Sequence, residues 1–342
     1  MKCAVCGRKA AVEVRRQGRA FCPEHYLEWF EHQVERAIRR HRMIERGERV
    51  LVAVSGGKDS IALWEVLRRL GFDATGLHIQ LGIDDYSRRA LEATRRFAEE
   101  RKLPLIVVDL KEAYRLAIPE LAELTRRRAC SVCGLTKRYV MNRVAVEEGF
   151  DVVATGHNLD DEASVLLGNV LHWQTDALVR QGPVLPAKEK LAKRVKPLYL
   201  LTEREILAYT LLRRLPYQHE ECPFALGAKS LLYKEALNKL ETAMPGTKQT
   251  FLEQYLKKIE PVLQRGLSAK EVELKACERC GYPTTGEVCA FCRTWDHAYR
   301  WAKRKGRIPG EARFEAKPRL AFCPEKKEGG AARPAPAEEP AG

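Results

Sequence analysis

The sequence predicts an α/β fold, a Rossmann-like parallel sheet covered by helices on both faces and bracketed by two small cysteine-rich modules. Three observations predict it. Between residues 48 and about 200, short apolar runs alternate with helical patterns, the arrangement of a parallel sheet with helical crossovers. The first of these runs, 50–54, leads into Ser55-Gly56-Gly57-Lys58-Asp59-Ser60 and then a helical pattern from Ile61 to Leu70, which reads as strand, tight turn and helix start. Paired cysteines and a histidine stand before and after this region at the spacing of metal-binding knuckles.

The chain of 342 residues is long enough for one large domain with small additions, or for two domains. Lys plus Arg is 60 against 46 for Asp plus Glu, a formal charge of +14. That excess points to a polyanionic partner, nucleic acid first, although a solvated basic surface has the same composition. The charged content of 31% also fits an ion-pair-rich, thermophile-like surface. No run of about 18 apolar residues is present, so no membrane span is expected. The N-terminus lacks an apolar secretion segment. Eleven cysteines without an export signal argue for thiolates that bind metal, in the cytoplasm, and against disulfides.

Taken in order, residues 1–26 carry Cys3-x2-Cys6 and Cys22-x2-His25, four ligands suited to one tetrahedral zinc with no position left open for chemistry. Alternation over 11–15 supplies a short strand between the knuckles. Residues 27–47 link this module to the next through a basic amphipathic helix running from residue 26 to about 46. Its apolar face is Trp29, Phe30, Val34, Ala37, Ile38 and Ile44. Arg36, Arg39, Arg40, Arg42 and Arg46 are candidates for phosphate contact or for an ordinary solvated face.

Residues 48–270 are expected to form the central domain, with a helical C-terminal part. Strands are expected at 50–54, 74–80, 105–109 and 151–155, and helices near 60–70, 86–101, 134–148 and 160–171. Ligands in such sheets sit beyond the carboxyl ends of the strands. At the first end, Gly56 and Gly57 allow close backbone approach, and the free N–H groups of the new helix favour an anion such as a phosphate. The turn lacks the Walker A spacing. At the second end, the backbone of His78-Ile79-Gln80 is placed to read an adenine edge. At the fourth, Thr155-Gly156-His157-Asn158-Leu159-Asp160-Asp161-Glu162 opens another helix. Its acids suit a helix N-terminus, and Asp161 is expected to face a nucleotide through Mg²⁺.

Cys130 and Cys133 precede a helix, and their nearest remaining partner is Cys222. Three thiols without a fourth fit a [4Fe–4S] cluster with one open iron, or a pair that cycles through a persulfide or disulfide. Lys137 lies one helical turn behind Cys133, on the same face, where it can neutralise phosphate charge. Further on, Thr202-Glu203-Arg204-Glu205 has the form of a capping box. Residues 229 to about 264 read as helix interrupted at Pro245-Gly246, with lysines available to a nucleic-acid backbone.

Residues 271–305 contain Cys277-x2-Cys280-x8-Cys289-x2-Cys292, a second four-ligand zinc set of the ribbon type. Trp295, Tyr299 and Trp301 follow among basic residues. They either stack unpaired bases or pack on the ribbon. Residues 306–342 form a tail whose apolar periodicity fades, with disorder expected after about 324. Cys323 has no assigned role.

The string Ser55–Ser60 resembles the PP-loop of the ATP pyrophosphatase superfamily. The full order of zinc knuckles, PP-loop, CxxC, Gly-His-Asn-Leu-Asp-Asp segment, third cysteine and zinc ribbon resembles the TtcA/TtuA family of PP-loop tRNA thiolases, up to about residue 300. The two zinc modules favour its TtuA-like branch, which modifies T-loop 5-methyluridine to 2-thioribothymidine. The resemblance implies an ATP-dependent transferase that releases AMP and diphosphate. It implies ATP contacts at Ala53, Ser55, Gly56, Gly57, Lys58, Asp59, Ser60, Ile79, Lys137, Gly156 and Asp161. It further implies catalytic roles for Asp59, Lys137, Cys130 and Cys222, and an iron–sulfur cluster on Cys130, Cys133 and Cys222. The implied partners are tRNA, with its target base turned out of the elbow, and a ubiquitin-like sulfur-carrier protein with a C-terminal thiocarboxylate. A homodimer is also implied. Three alternatives remain at this level: a wobble-uridine thiolase, a PP-loop enzyme delivering an amine to tRNA, and a non-enzymatic zinc-ribbon RNA-binding protein.

Overall fold

The structure, a computed structural model, describes residues 1–225, 229–266, 274–307 and 319–322. Cys323 and the tail expected to be disordered lie outside the described residues. The chain opens with the hairpin β1 (Val12–Val14) and β2 (Arg19–Phe21), paired antiparallel, and continues into α1 (Pro23–Arg40), which has proline in its first turn. The predicted apolar face of α1 is buried throughout. The helix ends at Arg40, about six residues before its expected limit, and the chain turns through Arg42 at positive φ so that Met43 and Ile44 also enter the core.

The central layer follows as β3 (Arg49–Ala53), α2 (Lys58–Arg69), β4 (Asp73–Gln80), α3 (Asp84–Arg101), β5 (Leu105–Asp109), α4 (Leu110–Tyr114), α5 (Ile118–Thr125), α6 (Ala129–Glu147), β6 (Val152–Thr155) and α7 (Leu159–Leu171). These match the four predicted strands and their helices within about two residues, except that α6 begins five residues before its expected start, so Cys130 and Cys133 stand on the helix and not ahead of it. After α8 (Thr175–Leu178) come β7 (Val184–Leu185), β8 (Lys193–Val195) and α9 (Glu203–Leu212). Next are α10 (Lys229–Ala243), α11 (Thr247–Gln254) and α12 (Glu260–Gly266), with Gly246 at positive φ in the predicted break. Finally β9 (Lys275–Ala276) and β10 (Pro283–Thr284) pair beside α13 (Ala290–Arg304), and β11 (Arg319–Phe322) closes the described chain.

The main sheet has the order β11-β5-β4-β3-β6-β8-β7. Its five central strands are parallel, while both edges, β11 on β5 and β7 on β8, are antiparallel. The edge strand β7 and its neighbour β8 are absent from the sequence reading because they are too short to show alternation. β11 lies in a stretch whose composition reads as tail. Connections run from β3 through β4 to β5 on one side and return through β6 on the other. The crevice where they diverge, between β3 and β6, is where a ligand is expected in such a sheet.

Alternate residues of β3 feed two cores. Val50 and Val52 join a cluster with α1, α2 and α9, whereas Leu51 joins one with α5, α6 and α13. Each cysteine-rich module is built into one of them. Cys3, Phe21 and Cys22 belong to the first, and Cys277, Cys289, Cys292 and Trp295 to the second. The N-terminal module is further fixed by Arg16, whose buried guanidinium binds Glu205 at 2.8 and 3.1 Å, and by Tyr26, whose hydroxyl donates to the Glu205 carbonyl at 2.7 Å. Removing one partner of such a buried pair strands the other charge.

Gly76, in the middle of β4, seats the Trp64 indole: a Cβ there meets the ring at 2.4 Å. Trp64 is fully buried and donates to the Ala74 carbonyl at 3.2 Å, so it has no freedom to withdraw. Gly76→Ala is therefore expected to destabilise the fold by about 1–3 kcal/mol through overpacking. A fall in thermal midpoint measured by calorimetry checks this.

Candidate active site

A cavity of about 320 Å³ lies at the carboxyl ends of β3, β4 and β6, in the crevice between diverging connections. Of the residues the sequence assigned to nucleotide, Ala53, Ser55, Gly57, Asp59, Ser60, Ile79, Lys137, Gly156 and Asp161 line it. Gly56 and Lys58 belong to the same turn but stand outside the lining.

The turn holds itself by short local bonds. The Ser60 hydroxyl accepts from the Ser55 amide at 3.1 Å and donates to the Gly57 carbonyl at 3.0 Å. Gly57 caps α2 without a side-chain acceptor, so the first amides of that helix are left for a ligand. The two glycines differ in purpose. Gly56 has φ of +86° and lies so close to α3 that a Cβ falls 2.5 Å from the Ala90 carbonyl oxygen. Gly57 has ordinary extended dihedrals, with only the Ser55 hydroxyl at 3.7 Å from a Cβ. Gly156 permits the second turn to press on the first, its Cβ position being 3.0 Å from the backbone of Asp59 and Ser60.

Several polar atoms here are buried and unpaired: Asp59 Oδ1, His78 Nε2 and Gln80 Oε1. Buried polar atoms normally have partners, so the cavity wall is built for a polar ligand. His78 Nδ1 lies 3.0 Å from the Val54 carbonyl and donates to it. Burial pushes the imidazole pKa down to about 4, so the ring is neutral and Nε2 is an acceptor. Burial, with Asp161 and Glu203 nearby, also raises the Asp59 carboxyl, against the pull of Lys58 at 3.0 Å. His157, bonded to the Thr155 hydroxyl at 2.8 Å, is likewise held down by burial.

The acids after Gly156 divide. Asp161 lines the cavity, closes a capping box with Asn158 and meets Lys234 at 2.6 Å. Asp160 turns the other way, to the buried Lys248, and Glu162 pairs with Lys196 at 2.7 Å. Lys234 and Lys248, read from sequence as available to nucleic acid, are thus engaged inside the protein. On α1, Arg39 and Arg40 pair with Glu35 and Glu253 at 3.2 and 3.3 Å, in the exposed setting that contributes little. Trp295 and Tyr299 are buried in the ribbon core, whereas Trp301 is partly exposed, so packing is the reading that holds for the first two.

Cys130, Cys133 and Cys222 come together beside this cavity. Cys130 and Cys133 stand on α6, and the Cys130 thiol donates to the Phe224 carbonyl at 3.3 Å. Burial raises the Cys133 thiol, the adjacent Lys137 lowers it, and Cys222 and Cys130 add further upward pressure. Tyr86 links the two regions: it lines the cavity, and its hydroxyl is raised by burial and then by Cys222 and Cys133. The segment leading to Cys222 is anchored on the turn itself, since the Gln218 amide donates to the Gly56 carbonyl at 2.8 Å. An ion pair of Arg89 with Glu220 ties it to α3. Tyr86 and Gln218 were missed in the sequence, where nothing local marks them, and Thr155 and His157 stood in the segment singled out after the fourth strand but were given no role.

Among the described residues, two sets have all their donor atoms within 4.8 Å of one another: Cys3, Cys6, Cys22 and His25, and Cys277, Cys280, Cys289 and Cys292. The sulfur separations of 3.8 Å for Cys6–Cys22 and Cys280–Cys289 match the edge of a sulfur tetrahedron around zinc, ~3.8 Å for bonds of ~2.3 Å. They are far too long for a disulfide. No helix among the described residues is long and apolar enough to cross a membrane.

Two family models match: a PP-loop domain over residues 27–222, and the N-terminal LIM domain of the 2-thiouridine synthetase TtuA over residues 2–27. The chain is 65% identical over 314 residues to the tRNA-5-methyluridine(54) 2-sulfurtransferase of Thermus thermophilus, covering 92% of this chain and 97% of that protein. It is 48% identical over 298 residues to the protein of the same name from Pyrococcus horikoshii, covering 86% and 94%. Among solved structures, the U34-tRNA thiolase NcsA of Methanococcus maripaludis, with its [4Fe-4S] cluster, superposes with a TM-score of 0.72 at 26% identity. That match covers 92% of this chain and 99% of NcsA.

Proposed function

The chain belongs to the PP-loop family of tRNA 2-thiolation enzymes, in its tRNA-5-methyluridine 2-sulfurtransferase branch, and from that membership we propose that it uses ATP to replace O2 of the T-loop 5-methyluridine with sulfur. The observation that carries the reading is convergence on one helix. α6 presents Lys137 to the nucleotide cavity and, one and two turns earlier, Cys133 and Cys130 to Cys222.

In this reading the uracil O2 attacks the α-phosphorus of ATP, the bond to the bridging oxygen breaks, and diphosphate leaves. Sulfide then adds at C2, and AMP departs with the former O2. The amides from Gly57 to Ser60 hold the phosphates. Asp59, with its free Oδ1, and Asp161 would hold Mg²⁺, and Ala53 and Ile79 flank the adenine. Lys137 offsets the charge that develops as the adenylate forms. His78 Nε2 and Gln80 Oε1 accept hydrogen bonds from the substrates.

Cys130, Cys133 and Cys222 would hold a [4Fe–4S] cluster. A cubane places each cysteine on a different iron, so its sulfurs stand farther apart than the ligands of one ion. What supports this reading is that Cys222 and Cys130 both lie near enough to Cys133 to act on its thiol, and that NcsA carries such a cluster. When bound, the cluster supplies one iron without a cysteine ligand and hence a place for sulfide. The two tetrahedral sets would hold zinc and serve structure. The sulfur source is read as a thiocarboxylated ubiquitin-like protein, and the working form as a homodimer in the cytoplasm.

The test is mass spectrometry of tRNA nucleosides from a strain lacking this gene. The expected result is loss of 2-thioribothymidine with 5-methyluridine in its place. Loss of wobble 2-thiouridine instead would transfer the reading to the U34 reaction named for NcsA.

A further inference from the structure

A second cavity, of about 370 Å³, opens on another face of α6, between that helix, the β7–β8 hairpin and the C-terminal module. Its volume falls in the range of pockets that hold small ligands. Arg138 and Arg194 both line it, and neither has an ion-pair or hydrogen-bond partner among the described residues. Other arginines withdrawn from solvent are matched, as Arg16 is by Glu205 and Arg213 by Glu31, whereas Arg194 is half-buried and Arg138 stands exposed at the cavity rim. Burial and the like charge of Arg138 both oppose the charge on Arg194, with Tyr282 pulling the other way. Guanidinium does not shed its proton at working pH, so the two side chains present adjacent positive charges to whatever enters the cavity. Beside it stands an aromatic wall. Tyr282 packs 5.0 Å from Tyr139, which is stacked on Phe291 at 3.6 Å.

We propose that this cavity holds one unstacked nucleotide of the tRNA substrate, with its phosphate on Arg138 and Arg194 and its base against Tyr282. The inference rests on the reading of the chain as a tRNA-modifying enzyme and adds a subsite to it. An acidic peptide would use the two guanidiniums but leave the aromatic wall without a partner. A nucleotide uses both, by bidentate phosphate binding and by stacking. Arg138 directly follows Lys137, so the subsite lies across one helix, ~10 Å, from the nucleotide cavity. A nucleotide seated there fixes the strand on which the target base lies and so selects which base reaches C2 chemistry.

The experiment measures binding of the full chain to an unmodified T-loop-containing tRNA transcript by fluorescence anisotropy over a series of KCl concentrations. The R138Q/R194Q double variant is expected to weaken binding and to lower the log–log salt slope by about 0.7, one single-strand phosphate contact. R138K/R194K is expected to restore the slope. Tyr282→Leu is expected to weaken binding about tenfold with the slope unchanged. Zinc content of each variant reports whether the fold is intact. A wild-type salt slope in folded R138Q/R194Q overturns the subsite, as does a variant that keeps its tRNA affinity but loses binding of an acidic donor protein. A wild-type chain that binds tRNA through these residues yet thiolates none would sink the reaction assigned above and leave the subsite standing.

Discussion

Cys222→Ser is expected to lower tRNA thiolation by about 10²-fold or more, a larger loss than changes in groups that merely orient a metal ligand. Cys222 is brought to the cavity from outside the helix that holds the other two thiols, and Tyr86 stands between it and the nucleotide lining. The serine hydroxyl is a far poorer ligand than a thiolate for iron. Three measurements separate the outcomes. Iron and acid-labile sulfide should fall in anaerobically purified protein. Formation of 2-thioribothymidine in vitro should fall with them. ATP binding, which depends on the turn at Ser55–Ser60, serves as the control for an intact cavity. Full activity in the serine variant would favour an enzyme that delivers an amine, for which three thiols have no use.

The second large effect is expected from Gly56→Ala. A side chain at φ of +86° is strained, and the new Cβ falls 2.5 Å from the Ala90 carbonyl oxygen and 2.8 Å from its Cα. Both neighbours are backbone of a buried helix turn and cannot swing aside. Strain and overpacking each cost about 1–3 kcal/mol. The turn can relieve them only by moving away from α3, which drags the free amides of α2 out of line. ATP affinity should fall about 10–100-fold, since ~1.4 kcal/mol is tenfold. The Gly56 carbonyl also accepts the Gln218 amide, so thiolation should fall further than ATP affinity does. Gly57→Ala is the matched comparison, because its Cβ meets nothing closer than 3.7 Å and its φ is ordinary. Isothermal titration with ATP on both variants checks the contrast. Equal losses at the two positions would contradict the division of labour between the glycines.

The parts of this protein legible in the sequence are those whose meaning lies in short spacing. The strand-turn-helix at residues 50–70, the two four-ligand sets and the helix break at Gly246 all follow from neighbours within a few residues, and the structure reproduces them. Cys222 was joined to Cys130 and Cys133 only as the nearest thiol not already placed in a four-ligand set. Across-fold pairings left no such trace. Arg16 reads as one more surface arginine until Glu205, 189 residues away, is found against it. Gln218 has no mark of its own, because its contribution is a backbone amide. The lysines of α10 and α11 misled for the same reason: their count suggests a binding face, while Asp160 and Asp161 take Lys248 and Lys234 inward. The edge strand β7 and its neighbour β8 are too short for periodicity to speak.

The two cysteine-rich modules lie on opposite sides of the central sheet, each contributing buried side chains to the core of its side. With zinc in both sets, as proposed above, each module depends on its metal to hold together. A cell starved of metal would then not accumulate a folded but idle enzyme. It would make a chain with bare apolar surface on both flanks of the sheet, and proteases and chaperones would meet it as an unfinished protein.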